Sequence, residues 1–256
     1  MYAAADSTPL FLMAMADYLR ASGDTAFLAA HRDAIERAWG FETDPAHDAN
    51  HDGIYDNSQG TGWVESWPGG LPHQEIYIAL LDQQASSAYG YLESQLKNAA
   101  KAQAAGARAA TIAKTINATY HDAEKGCYAF AVNQPAGPIN RIEFATIPLE
   151  GQPAEQTSLN STVDRTTTIF PAVAWWDPPP PAGKSSNPDS RIRKSTILDD
   201  PGPCLRNFVA SALNTDWGTR DIADTEKIYD GMSYHQGSVW PLFTGWAALA
   251  EYRGNQ

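Results

Sequence analysis

Asp6-Ser-Thr-Pro-Leu-Phe-Leu-Met-Ala-Met-Ala-Asp-Tyr-Leu-Arg-Ala-Ser-Gly-Asp24 is the stretch whose reading sets the architecture. Ser7 and Thr8 suit a helix N-cap, and Pro9 suits a first turn, where its missing N–H costs nothing. Leu10, Phe11, Met13, Ala14 and Leu19 then predict an apolar helix ending near Gly23. Asp24 caps a second helix, with Phe27, Leu28, Ile35, Ala38, Trp39 and Phe41 as its buried stripe. Two helices joined by Ser-Gly-Asp make an antiparallel hairpin.

The same pattern continues outward from there. A helix is predicted after Pro72, through Ile76, Leu80, Leu81, Ala85 and Ala88 to about Leu96. An outer, half-exposed helix follows from about Asn98 to Tyr120, with Ala107, Ile112 and Ile116 at helical spacing. Cys127 to Val132 alternates as a short strand does. Thr166 to Trp176 reads as helix with Pro171 inside it, implying a kink or a late start. Cys204 to Leu213 is a short helix, Asn214 to Tyr234 a loop, and Gly237 to Tyr252 a closing helix. The expectation is an all-α fold of helix pairs alternating with aromatic-bearing loops. Such a chain forms a helical toroid, with one rim of loops carrying the site. A single domain over residues 1–256 is expected, with linker-like insertions near 134–163 and 178–200.

Composition narrows the function. The net charge of −12, without a long basic run, disfavours nucleic acid and anionic membrane surfaces as partners. Eight Trp and eleven Tyr either pack a core or stack on neutral polyols, so a carbohydrate partner fits better than a nucleotide. Met1 to Leu19 lacks the basic start of a signal peptide, and no apolar run is long enough to span a bilayer. Cys127 and Cys204 match no metal spacing and leave pairing open.

Chemistry is expected first in Gln59-Gly-Thr-Gly-Trp-Val-Glu-Ser-Trp-Pro-Gly-Gly-Leu-Pro-His-Gln-Glu75. Glu65 stands between Trp63 and Trp67. A carboxyl among indoles is poorly solvated and retains its proton, as the general acid of a glycosidase must. The alternative is a Gly/Pro-rich loop whose tryptophans fill a core edge while Glu65 faces water. Upstream, Asp48, Asn50, Asp52 and Asp56 stand at calcium-loop positions, but the twelfth position is Gln59 in place of the bidentate Glu. An Asx-stabilised turn satisfies the same residues.

Taken in order, these segments resemble the C-terminal domain of glycogen debranching enzymes of the amylo-α-1,6-glucosidase type. They are also similar to the wider (α/α)6-barrel, or six-hairpin, glycosidases. The resemblance is carried by Tyr2-Ala-Ala-Ala-Asp-Ser-Thr-Pro-Leu-Phe11, Tyr18-Leu-Arg-Ala-Ser-Gly-Asp24, Asp52-Gly-Ile-Tyr55 and Gly60-Thr-Gly-Trp-Val-Glu-Ser-Trp67. It continues in Asp216-Trp-Gly-Thr-Arg-Asp221 and Tyr234-His-Gln-Gly-Ser-Val-Trp-Pro241. It implies an inverting hydrolase of α-glucosidic linkages in oligo- or polysaccharide, needing no cofactor, with Glu65 as general acid where many relatives have Asp. It also implies a sugar site lined by Asp6, Trp63, Trp67, Glu75, Trp217, Arg220, Asp221, Tyr234, His235 and Trp240.

Each of these residues has a plainer role open to it. Asp6 can be an N-cap, His235 a structural histidine, Trp240 a core residue, and Arg220 with Asp221 a loop clasp. The family's base lies beyond the Tyr-His-x-Gly-x-Val-Trp helix, and this chain shows fewer helices than six hairpins need. The expectation is therefore a toroid incomplete at both ends, with the base outside it and apolar helix faces exposed. A phosphorylase of similar fold, or a non-catalytic sugar-binding piece, fits the same residues.

Overall fold

The computed structural model describes residues 4–48, 51–57, 62–67, 74–132, 163–176, 198 and 200–254. The predicted insertions near 134–163 and 178–200 fall almost wholly outside these residues. The chain divides into two compact units.

The first unit is helical. Helix α1 (Ser7–Ser22) stops at Gly23, which adopts φ 68° and returns its N–H to the Leu19 carbonyl, a turn that suits glycine. The Asp24 side chain accepts from the Phe27 N–H and starts α2 (Thr25–Ala30). The predicted second helix is broken at His31, and α3 (Arg32–Glu42) resumes the stripe. A two-residue strand, β1 (Gln74–Glu75), leads into α4 (Ile76–Gln95), and α5 (Ala99–Thr119) follows.

Leu12, Met15, Ala16 and Leu19 of α1 pack with Leu28, Ile35, Ala85, Ala88, Tyr89, Leu92 and Ala105 in one core. Truncating a fully buried leucine there, such as Leu12, costs about 2–5 kcal/mol. Trp39 stacks on Tyr89 with ring centroids 4.2 Å apart. Helix α5 is the half-exposed outer helix that the sequence predicts, although Ala107 faces out and Ala105, Ala109, Ile112 and Ile116 face in.

The second unit overturns the all-α expectation. Among the described residues about 57% are helical and 11% are strand, in three small antiparallel sheets, so this is a mixed α/β fold and not an all-α (α/α)6 toroid. Strands β2 (His121–Asp122) and β3 (Cys127–Tyr128) form a hairpin, and β4 (Ala131–Val132) pairs with β5 (Val163–Asp164). The predicted loop after Asn214 contains β6 (Asn214–Thr215) and β7 (Gly218–Arg220), and β7 pairs onward with β8 (Val239–Trp240). Strands of two or three residues are too short to show alternation in a sequence.

Helix α6 (Gly202–Val209) precedes these strands, and α7 (Pro241–Gly254) ends the described chain. Helix α7 starts four residues later than predicted, because Val239 and Trp240 belong to β8 and Pro241 suits a first helical position. Phe170–Trp175, expected as α-helix, is a 3-10 segment with Pro171 in its first turn. Its Phe170 meets Phe243 edge-on at 5.7 Å, and Arg253 of α7 donates to the Trp175 carbonyl at 2.7 Å. Cys127 and Cys204 form a disulfide that joins β3 to α6.

Candidate functional site

Two distant parts of the sequence meet in the second unit. The Glu65 N–H donates to Nε2 of His235 at 3.4 Å, and the Gln236 side-chain amide donates to the Ser66 carbonyl at 2.9 Å. The side chains of His235 and Gln236 thus hold both sides of the Glu65–Ser66 backbone, as a neighbouring strand would. Accepting at Nε2 places the imidazole proton on Nδ1. His235 is buried, and desolvation holds its pKa below the ordinary histidine value despite the nearby Glu65 carboxyl. One Glu65 carboxyl oxygen lies 3.8 Å from Nε2.

The expectation of a Glu65 carboxyl enclosed by indoles is not met. Its side chain is 74% exposed. Trp67 is buried, stacks on Phe130 at 4.1 Å, and donates its indole N–H to Asp164 at 2.8 Å. Both faces of that ring belong to the core, so it offers no sugar platform. Trp63 is half-buried and belongs to the first unit.

The aromatic neighbours of this region come from the other motif. Tyr234 is largely exposed and meets the His235 ring edge-on at 4.7 Å and the Trp240 ring at 4.6 Å. Trp240 is half-buried. Trp217, at the turn between β6 and β7, is 90% exposed. Its position follows from the turn itself: Thr215 Oγ1 accepts the Trp217 N–H, and Gly218 takes φ 129°.

Arg220 and Asp221 do not pair with each other. The Arg220 guanidinium donates to the carbonyls of Ser211 and Ala212, approaches Asp224 at 3.3 Å and lies over the Tyr229 ring. Those contacts commit it to loop structure. Asp221 is fully buried and accepts the Ile222 N–H, and burial pushes its pKa up to about 7.

The first unit holds a second carboxyl cluster. Glu75 stands one residue before α4 and is 1% exposed. Asn57 grips it twice, donating to Oε1 at 3.1 Å and accepting the Glu75 N–H at 3.2 Å. Among the described residues no donor reaches Oε2, which faces Gly62; a Cβ on Gly62 would stand 2.2 Å from it. Burial, reinforced by the Asp6 charge, pushes the Glu75 pKa up to about 8. Asp6 accepts from the Tyr77 hydroxyl at 3.0 Å and makes no side-chain cap to α1. Burial raises its pKa too, against the lowering effect of that bond. Near neutral pH the raised pKa of Glu75 favours its protonated, O–H donating form.

The calcium-loop pattern resolves into turns. Asp48 accepts the N–H groups of Asp52 and Gly53, and Asp52 accepts that of Ile54. Both Asp48 oxygens are thus used by the backbone, while Asp56 is buried and Asn50 lies outside the described residues. Among the described residues no group of three or more His, Cys, Asp or Glu could hold a metal. No described helix is long and apolar enough to cross a membrane.

Sequence reasoning missed one ionic cluster. Asp82 is fully buried on α4 and takes a two-pronged grip from Arg108 of α5, next to Glu42. The available signal was a lone Asp after the apolar run Ile76-Tyr-Ile-Ala-Leu-Leu81, since a buried charge needs a partner. No protein-family model matches the chain, and no curated protein matches it.

Proposed function

We propose that this chain serves a glycoside hydrolase that acts on α-glucosidic linkages of an oligo- or polysaccharide with inversion, and that Glu65 is the proton donor. The observation that carries this reading is the hydrogen bond from the Glu65 N–H to His235, across 170 positions, with Tyr234 edge-on to the His235 ring and the Glu65 carboxyl open to solvent. A glucosyl ring laid on the exposed Tyr234 face gains aromatic contact and excludes water from the neighbouring carboxyl. The Glu65 carboxylic acid donates its proton to the glycosidic oxygen as the C–O bond breaks, while a water attacks the anomeric carbon from the opposite face and passes its proton to a carboxylate base that is not among the assigned residues. Bulk water restores the proton after each turnover. His235 fixes the Glu65 main chain and takes no proton in this scheme. In the first unit, Glu75 and Asp6 are the carboxyls assigned to sugar hydroxyls.

The test combines binding and turnover with maltotetraose. Calorimetry should show saturable binding that weakens about tenfold, or roughly 1.4 kcal/mol, in Tyr234→Ala. Proton NMR should show the inverted anomer released by the unaltered protein and not by Glu65→Gln. Full turnover by Glu65→Gln would overturn the assignment. Products that form only with added phosphate would transfer it to a phosphorylase, and binding without any turnover would leave a sugar-binding chain.

A further inference from the structure

One buried charge of the first unit, Asp82, lies on the helix that Glu75 leads into. Glu75 precedes α4 in extended backbone, and Asp82 lies in the second turn of that helix. Both grip one short segment of chain. Asp82 accepts the Tyr55 N–H at 2.8 Å, and Glu75 is held from both sides by Asn57, two residues further on.

Arg108 closes the arrangement. Its guanidinium takes both Asp82 oxygens, donates to Ser86 Oγ at 2.6 Å, reaches the Gly53 carbonyl at 3.4 Å and lies over the Trp39 ring. The fork of donors lets one side chain tie α4, α5 and the Gly53–Tyr55 backbone together, which a lysine cannot do. Charge is balanced inside. Burial, then the neighbouring Asp82 charge, pushes the Glu42 pKa well up, while Asp82 pairs with Arg108.

We propose that Asp82 and Arg108 are positioning residues for Glu75: they fix the 53–57 segment so that Asn57 holds the Glu75 carboxyl at Oε1 and its backbone at N–H. This rests on the reading of Glu75 as a sugar ligand. The Asn57 hydrogen bond lowers the Glu75 pKa against burial and the Asp6 charge, so the midpoint of Glu75 reports the grip. Asp6, Tyr77 and Asn57 are the described groups that face it.

The experiment is a double-mutant cycle read by carboxyl-carbon NMR titration of Glu75 in the unliganded protein. Asn57→Ala should move the midpoint above about 8. Arg108→Gln should move it in the same direction, and the double variant should move it no further than Asn57→Ala alone. A through-space effect of the Arg108 charge would instead add in full to that of Asn57→Ala, and this result, or no shift in Arg108→Gln, overturns the proposal. Should Arg108→Gln fail to fold, Arg108→Lys keeps the charge and loses the fork. A smaller shift of the same sign supports the proposal, and no shift overturns it.

Maltotetraose separates this claim from the one beneath it. If the unaltered protein does not bind maltotetraose, the sugar reading fails, while the cycle still decides whether Arg108 positions Glu75. If it binds, Arg108→Lys should weaken affinity about as much as Asn57→Ala does.

Discussion

The backbone N–H of Glu65 donates to Nε2 of His235, a side chain 170 positions away in the sequence. The bond needs a neutral imidazole, because a protonated ring has no acceptor nitrogen. Protonation of His235 therefore both breaks this bond and charges a buried ring.

The sign of the resulting pH dependence follows. The folded pKa of His235 lies below the unfolded value of 6.5, so the unfolded chain binds the proton first as pH falls. Stability contributed by neutral His235 is complete above pH 6.5 and is lost as pH drops from there through the folded value. Thermal melts of His235→Gln, compared with the unaltered protein between pH 7.5 and 5, should show a shallower acid-side decline.

Glu75 acts in the opposite sense. Its folded pKa of about 8 exceeds the ordinary 4.5, so the folded state holds the proton longer as pH rises. Stability is complete below about pH 4.5 and is lost on the way through pH 8, by on the order of a few kcal/mol. Glu75→Gln removes the titration. Its melting temperature should fall less than that of the unaltered protein between pH 5 and 9.

The tryptophans separate by what they touch. Trp67→Ala removes a buried ring stacked on Phe130 and should destabilise the protein by about 3–5 kcal/mol in urea unfolding. Trp217→Ala, at a 90% exposed position, should change stability by less than about 0.5 kcal/mol. If Trp217 stacks on the ligand, maltotetraose binding weakens in Trp217→Ala without any change in the melt.

The disulfide between Cys127 and Cys204 closes a loop across 77 positions. Its removal by Cys127→Ala with Cys204→Ala should cost about 2–4 kcal/mol, chiefly by freeing the unfolded chain. A thiol assay on the unreduced, unfolded protein should find no free thiol, and two after reduction.

Helices were legible where one periodic pattern met one capping signal. Gly23 and Asp24 mark the end of α1 and the start of α2 correctly, because caps depend on local backbone chemistry. Ser7 and Thr8, expected as N-cap, instead lie inside α1, and Asp6 stands at its N-cap position. The sheets were not legible, since Asn214–Thr215 and Val239–Trp240 become strands through partners distant in sequence. At the candidate site, the sequence set Glu65 beside two tryptophans but could not show where the rings turn. Trp67 faces Phe130 and Asp164, and Glu65 is left in the open. Tyr234 and His235 were chosen by resemblance, and the approach of His235 to Glu65 is a tertiary fact that no spacing encodes. The Arg108–Asp82 pair escaped because Arg108 sits on a helix that otherwise reads as a solvated face.

The hydrogen of Gly62 has its own consequence for how this sequence can vary. A Cβ at position 62 would stand 2.2 Å from Glu75 Oε2, so a side chain there displaces the buried carboxyl that Asn57 holds. A lineage that acquired alanine at 62 would have to shorten or retract the acid at 75 as well, so the two positions form a heritable pair.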